Sequence, residues 1–271
     1  MSITTNRGRL ARKNIWLRLA VALVAFVVLA CGALVFVKKV LPAQTLPAVR
    51  AAAASIEEVD GENPAVILTP PNPTRGIVLY AHGNKQTERE VLSGPNVAPL
   101  AADLLDAGYI VVAAHADGNA WGNPASLAAY EEVISSVRES APVDDLYLIG
   151  ESMGGLPSLQ LAGSVDGIKA WVGVYPVCDA RTILDQEDLR AGVEAAYPNA
   201  QDLEAISPVA TPDVPQLYLA SPDDTRVPKE SNTDACAGQS PRATVVATTG
   251  NHGDPSNFDS TRILNFFEDA R

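Results

Sequence analysis

The sequence is poor in the residues that hold metals and cofactors. It has three histidines and three cysteines in 271 residues. That is too few cysteines for a structural zinc site, and no H-E-x-x-H pair of helix-borne ligands is present. The glycine-rich patterns of nucleotide sites are missing too. There is no G-x-x-x-x-G-K turn with a lysine placed to meet a phosphate, and no G-x-G-x-x-G fingerprint. The composition implies no metal and no cofactor. Aromatic residues make up 6% of the chain against 47% hydrophobic residues in all, so aliphatic side chains carry the core. No internal repeat occurs, and a row of alanines near residue 52 is the only low-complexity tract.

Basic charge is scarce outside the first 40 residues. Seven of the 20 basic residues lie there, with no acidic residue among them. The remainder carries the other 13 basic residues against all 32 acidic ones, a net charge of −19. A body this acidic repels phosphate backbones, which excludes a nucleic-acid partner. Residues 19–37 read LAVALVAFVVLACGALVFV, without one charge. A helix of about 20 apolar residues spans a bilayer, and a signal-peptide core is shorter, about 7–15 residues. The run therefore reads as an uncleaved single-pass anchor. Five basic residues precede it and two follow, which puts residues 1–18 in the cytoplasm and the body outside. Val28-Leu29-Ala30-Cys31 loosely fits a bacterial lipoprotein site. Leu29 is atypical there, and the apolar run continues past Cys31. Residues 38–55, with two prolines and the alanine row, read as a linker. The body retains Cys178 and Cys236. They are either one disulfide in an oxidising compartment or two separate buried thiols.

From residue 56 onward, short apolar runs alternate with amphipathic stretches. Strands are expected at 65–68, 76–81, 109–114, 146–149, 168–174, 216–220 and 244–247. Their continuous apolar character marks strands covered on both faces. Helices are expected at 97–107, 125–139, 153–162, 181–196 and 261–270. The alternation predicts an α/β class body over 56–271, a doubly wound, mostly parallel sheet with right-handed crossovers. Ligands of such sheets bind beyond the carboxyl ends of the strands. The connection across 175–215 is longer than a crossover needs and reads as a small lid.

The strongest motif is Gly150-Glu151-Ser152-Met153-Gly154-Gly155, a G-x-S-x-G pattern between a strand and a helix. A serine on so sharp a turn presents its hydroxyl above the sheet edge, and the close approach of strand and helix demands small residues two places either side. A serine hydroxyl needs a base. Of His82, His115 and His252, only His252 follows Ser152, in a loop after the last strand. The base needs an acid to set its tautomer. Asp224, three residues before Val227-Pro228, is preferred over its neighbour Asp223 and over Asp179 after the fifth strand. Asp223 and Asp224 also suit a capping role. Two amides are needed for a developing oxyanion. Met153 follows the nucleophile, and Asn84 lies in Tyr80-Ala81-His82-Gly83-Asn84-Lys85 after the second strand. His82 then bonds nearby loop groups. Trp121, in a loop on the same edge, is a candidate for the substrate pocket or for packing on the following helix.

With HGN, GESMGG, D-x-x-V-P and NHG in this order over roughly residues 65–270, the chain resembles the α/β-hydrolases. The resemblance implies a serine hydrolase that cleaves a carboxylic ester or related acyl bond through an acyl-serine, on a small-molecule or lipid-like substrate. Ser152, Asp224 and His252 match the catalytic triad, and Asn84 and Met153 match the oxyanion positions. HGN-K in place of HGGG sets the chain apart from the hormone-sensitive-lipase-like branch. Peptidase or acyltransferase activity on the same triad, a lyase or haloperoxidase-like enzyme, and a silent anchored binding protein are the alternatives.

Overall fold

The computed structural model describes residues 46–141 and 143–271. The run 19–37 expected to cross a membrane, the basic segment 1–18 and the first part of the linker lie outside the described residues. Among the described residues, no helix is long and apolar enough to cross a membrane.

The linker expected over 38–55 belongs to the body from Leu46 on. Helix α1 (Pro47–Ala52) starts on a proline, whose missing N–H is unpaired at that position in any helix. The alanines after it are good helix formers. Val49 is fully buried. The Leu46 N–H donates to Leu92 O at 2.7 Å and the Ala54 N–H to Thr69 O at 2.8 Å. The chain then enters β1 (Ser55–Val59), which the apolar pattern does not show because two glutamates occupy its centre.

The remaining strands and the α-helices of four or more residues follow in chain order. They are β2 (Ala65–Thr69), β3 (Gly76–Ala81), α2 (Glu90–Ser93), α3 (Val97–Asp106), β4 (Tyr109–Ala114), α4 (Pro124–Ser140), β5 (Leu146–Glu151), α5 (Gly155–Ser164), β6 (Ile168–Val174), α6 (Glu187–Ala196), α7 (Ala200–Ala205), β7 (Gln216–Ala220), β8 (Ala243–Ala247) and α8 (Ser260–Asp269). The eight strands form one sheet in the order β1-β2-β4-β3-β5-β6-β7-β8. β1 and β2 pair antiparallel, as do β2 and β4, and the other pairs are parallel.

Alternation along the strands divides the core in two. On β3, Ile77, Leu79 and Ala81 face the layer that holds α4 and α5, and Val78 and Tyr80 face the layer of α1, α3 and α8. Both sets are buried, each large side chain contributing about 1.5–3 kcal/mol on leaving water. This is why the central strands read as unbroken apolar runs. β8 is the exception: it is an edge, and Val245 is 38% exposed. The helix expected over 181–196 is two pieces. A short turn at Ala180–Ile183 opens where the Asp179 carboxylate accepts the Arg181 N–H at 3.0 Å, and α6 begins only at Glu187. Cys178 and Cys236 are free, buried thiols, and burial pushes the Cys178 thiol well up, with Cys236 beside it as a further cause.

Candidate active site

The carboxyl ends of β3, β5, β7 and β8 deliver the expected residues to one edge of the sheet. Ser152 stands directly after β5 with φ +50°, a left-handed backbone that costs a non-glycine residue about 1–3 kcal/mol. The surroundings enforce it. A Cβ on Gly150 would stand 2.1 Å from Ser158 Oγ, and one on Gly154 would stand 2.1 Å from Ala81 O. Only glycine lets β5 and α5 approach each other and β3 this closely. The Ser152 carbonyl is pinned by the Val177 N–H at 2.8 Å.

The structure brings Ser152, His252 and Asp224 into one chain of hydrogen bonds. His252 Nε2 lies 3.0 Å from Ser152 Oγ, and His252 Nδ1 lies 2.8 Å from Asp224 Oδ2. The Asp224 carboxylate is almost fully buried, its side chain 2% exposed against 24% for that of His252. Its other oxygen accepts the N–H groups of Arg226 at 2.8 Å and Val227 at 2.9 Å. One Asp224 oxygen thus holds a turn, with no helix starting there to be capped, and the other faces His252. The loops carrying Asp224 and His252 are tied by the Thr225 N–H, which donates to Asn251 Oδ1 at 3.1 Å. The rival Asp179 is engaged by the Arg181 guanidinium at 2.6–2.8 Å. Asp223 makes only a turn bond, its N–H donating to Ser221 Oγ at 3.1 Å.

A cleft of about 200 Å³ opens over the serine. Gly83, Asn84, Trp121 and His252 are in its wall; Met153, whose N–H follows the serine, is buried in the core beneath. The Gly83 N–H is taken by Gln86 Oε1 at 2.6 Å and the Lys85 N–H by Asn119 Oδ1 at 2.6 Å. Among the described residues, the Asn84 N–H between them meets no acceptor. His82 is fully buried, its ring nitrogens 2.9 Å from Gly83 O and 3.0 Å from His115 O. Trp121 is 1% exposed and forms part of the cleft wall, and its indole lies against Gly192 of α6. Four of the six non-glycine residues with positive φ among the described residues, Lys85, Trp121, Ser152 and Tyr175, line this cleft. Backbone strain is concentrated where the chemistry would be.

Sequence reasoning passed over a buried polar cluster beside the serine. The Glu151 carboxylate accepts from Tyr175 Oη at 2.6 Å, from Gln86 Nε2 at 3.0 Å and from Tyr80 Oη at short range. Burial and then the charge of Glu151 push both phenols well above their usual value. The signal was present: a glutamate ends an otherwise apolar strand, and tyrosines stand at or just past the ends of β3 and β6 on either side.

No family model matches the chain, and no curated protein sequence matches it. Solved structures do. An esterase of Pyrococcus furiosus superposes over 86% of this chain and 99% of its own, with TM-score 0.62 and 16% identity. Est1E of Butyrivibrio proteoclasticus covers 80% of this chain and 97% of its own, with TM-score 0.57 and 18% identity. The acylaminoacyl peptidase of Pyrococcus horikoshii matches 82% of this chain over 43% of its own length, with TM-score 0.60 and 15% identity. The chain has the α/β-hydrolase fold.

In this α/β-hydrolase fold, the long connection between β6 and β7 carries α6 and α7, and of these two helices only α6 contributes to the cleft wall among the described residues. Leu189 of α6 reaches the cleft wall. Asp188 of the same helix pairs with Arg226, two residues past Asp224, and with Lys85 Nζ at 3.5 Å. Gly192 lets α6 sit against the Trp121 indole, where a Cβ would stand 2.9 Å from Nε1. The tyrosine at the end of α6, Tyr197, donates to Trp121 O at 3.0 Å.

Proposed function

We propose that the chain is a serine hydrolase that cleaves carboxylic esters through an acyl-serine intermediate. One observation carries this reading: His252 lies within hydrogen-bond reach of both Ser152 Oγ and Asp224 Oδ2. In this geometry His252 Nε2 takes the proton of Ser152 as the oxygen attacks the ester carbonyl. Asp224 holds the imidazole with its proton on Nδ1 and stabilises the cation that forms. The N–H groups of Asn84 and Met153 receive the oxyanion. His252 then protonates the departing alkoxide and later activates the water that releases the acid. The cleft, about 200 Å³, is smaller than the roughly 300–1,000 Å³ of drug-sized sites. This supports a small acyl group over a long lipid chain. A body with a net charge of −19 supports neutral rather than strongly anionic substrates.

A fluorophosphonate probe tests the reading. The wild-type chain should be labelled, and Ser152→Ala should not. A series of p-nitrophenyl esters of rising chain length, run beside the matching anilides, should show the highest kcat/KM on the short esters. Absence of labelling in the wild type would overturn the hydrolase reading, and faster turnover of the anilides would replace esterase by peptidase.

A further inference from the structure

The buried carboxylate next to the nucleophile has no part in the proton transfers above. It is nevertheless bonded to both halves of the site. One branch runs through Gln86. Because Glu151 offers only acceptors when ionised, Gln86 must turn its Nε2 towards it, at 3.0 Å. The amide oxygen Oε1 then faces the opposite way, where it accepts the Gly83 N–H at 2.6 Å. This bond fixes the turn that presents the Asn84 N–H. The other branch runs through Tyr175. Its hydroxyl donates to Glu151 Oε1 at 2.6 Å, and its ring lies 4.3 Å from the His252 ring, tilted by 55°. Phe258 closes the far side, 5.8 Å from the Tyr175 ring. Tyr80 donates to the remaining Glu151 oxygen, so every donor around the carboxylate is fixed by it.

We infer that Glu151 is a positioning residue whose carboxylate links the oxyanion loop, through Gln86 and Gly83, to the catalytic imidazole, through Tyr175. The inference rests on the serine-hydrolase reading. A glutamine at position 151 has nearly the same shape but brings an NH₂ group into a ring of donors. Gln86 is then free to reverse its amide, which leaves the Gly83 N–H without its acceptor, and Tyr175 loses its anchor.

The experiment compares the wild-type chain with Glu151→Gln, Gln86→Met and Tyr175→Phe. It measures the rate of fluorophosphonate labelling, kcat and KM on a short p-nitrophenyl ester, and the melting temperature. Misplacing one oxyanion donor lowers kcat by about 100-fold or more, so Glu151→Gln should lower kcat by about 10- to 100-fold with KM within about threefold. Gln86→Met and Tyr175→Phe should each lower kcat by a smaller factor. Either one added to Glu151→Gln should lower it little further, because each removes a link already broken. A Glu151→Gln chain that melts earlier but keeps wild-type kcat and labelling rate overturns the inference, since that is a purely structural role. Fully multiplicative losses in the double variants overturn it too. Where Glu151→Gln does not fold, the two single-branch variants decide, and wild-type kcat in both overturns the proposal. A wild-type chain that is never labelled brings down the hydrolase reading and this inference with it; a labelled wild type with an unaffected Glu151→Gln brings down the inference alone.

Discussion

Asp224 divides its two oxygens between two tasks. Oδ1 holds the turn at Arg226 and Val227, and Oδ2 faces His252. Asparagine keeps a carbonyl oxygen for the turn but presents an NH₂ group to the imidazole, which forces the wrong tautomer. Asp224→Asn should therefore lower kcat by about 10³–10⁴-fold while the fold is kept, measured as ester turnover beside circular dichroism. Near-wild-type turnover would move the acid elsewhere, and Asp179 is already committed to Arg181. That Ser152, Asp224 and His252 would meet was legible in the sequence, because each follows from an order along the chain and a position after a strand. Glu151, Gln86 and Tyr175 were not. The sequence marks a glutamate ending an apolar strand and tyrosines near the ends of its neighbours, but the bonds joining residues 24 to 65 positions apart appear only in the fold.

Among the elements, the strands buried on both sides were legible, and so was the edge strand β8 through its valines, but β1 and α1 were not. β3, β4 and β7 match their expected bounds because a wholly buried strand is almost wholly apolar, Gln216 of β7 being the polar exception. β1 escaped notice, since Glu57 and Glu58 charge both faces of an edge strand that buries no residue fully. α1 escaped because its alanines suit a spacer as well as a short helix packed by a single buried valine. The turn from β5 into α5 was legible through its glycines, and it offers a matched pair of substitutions. Gly154→Ala drives a methyl against the Ala81 carbonyl, and neither backbone can retreat without moving β3. It should destabilise the chain by about 1–3 kcal/mol or more and abolish activity. Gly163, in the same helix, has open space where its Cβ would be, so Gly163→Ala should stabilise by about 0.5–1 kcal/mol. Denaturant midpoints read both, and equal effects of the two would refute the steric account of the turn.

At the scale of the whole molecule, tyrosine is used almost entirely as a core residue. The chain has seven tyrosines, and burial raises every one of their hydroxyls above the usual value of 10.0. Tyr147 is pushed up to about 12 and the others further. Above about pH 10 the unfolded chain releases phenolic protons that the folded chain keeps. The unfolded state then binds fewer protons, and stability falls as the pH rises. This contribution is intact below pH 10 and is lost as the pH climbs towards the folded values. Counting only the most enclosed, Tyr80, Tyr130, Tyr175 and Tyr218, the loss is roughly 5 kcal/mol per pH unit. A total stability of about 5–15 kcal/mol is then exhausted within about one to three units above pH 10. Phenolate absorbance and far-ultraviolet circular dichroism, followed in one alkaline titration, should change together in a single transition. A phenolate step that precedes the loss of ellipticity would mean that some of these hydroxyls reach water in the folded chain, and the enclosed cluster of Tyr80 and Tyr175 around Glu151 would be the first place to look for the opening.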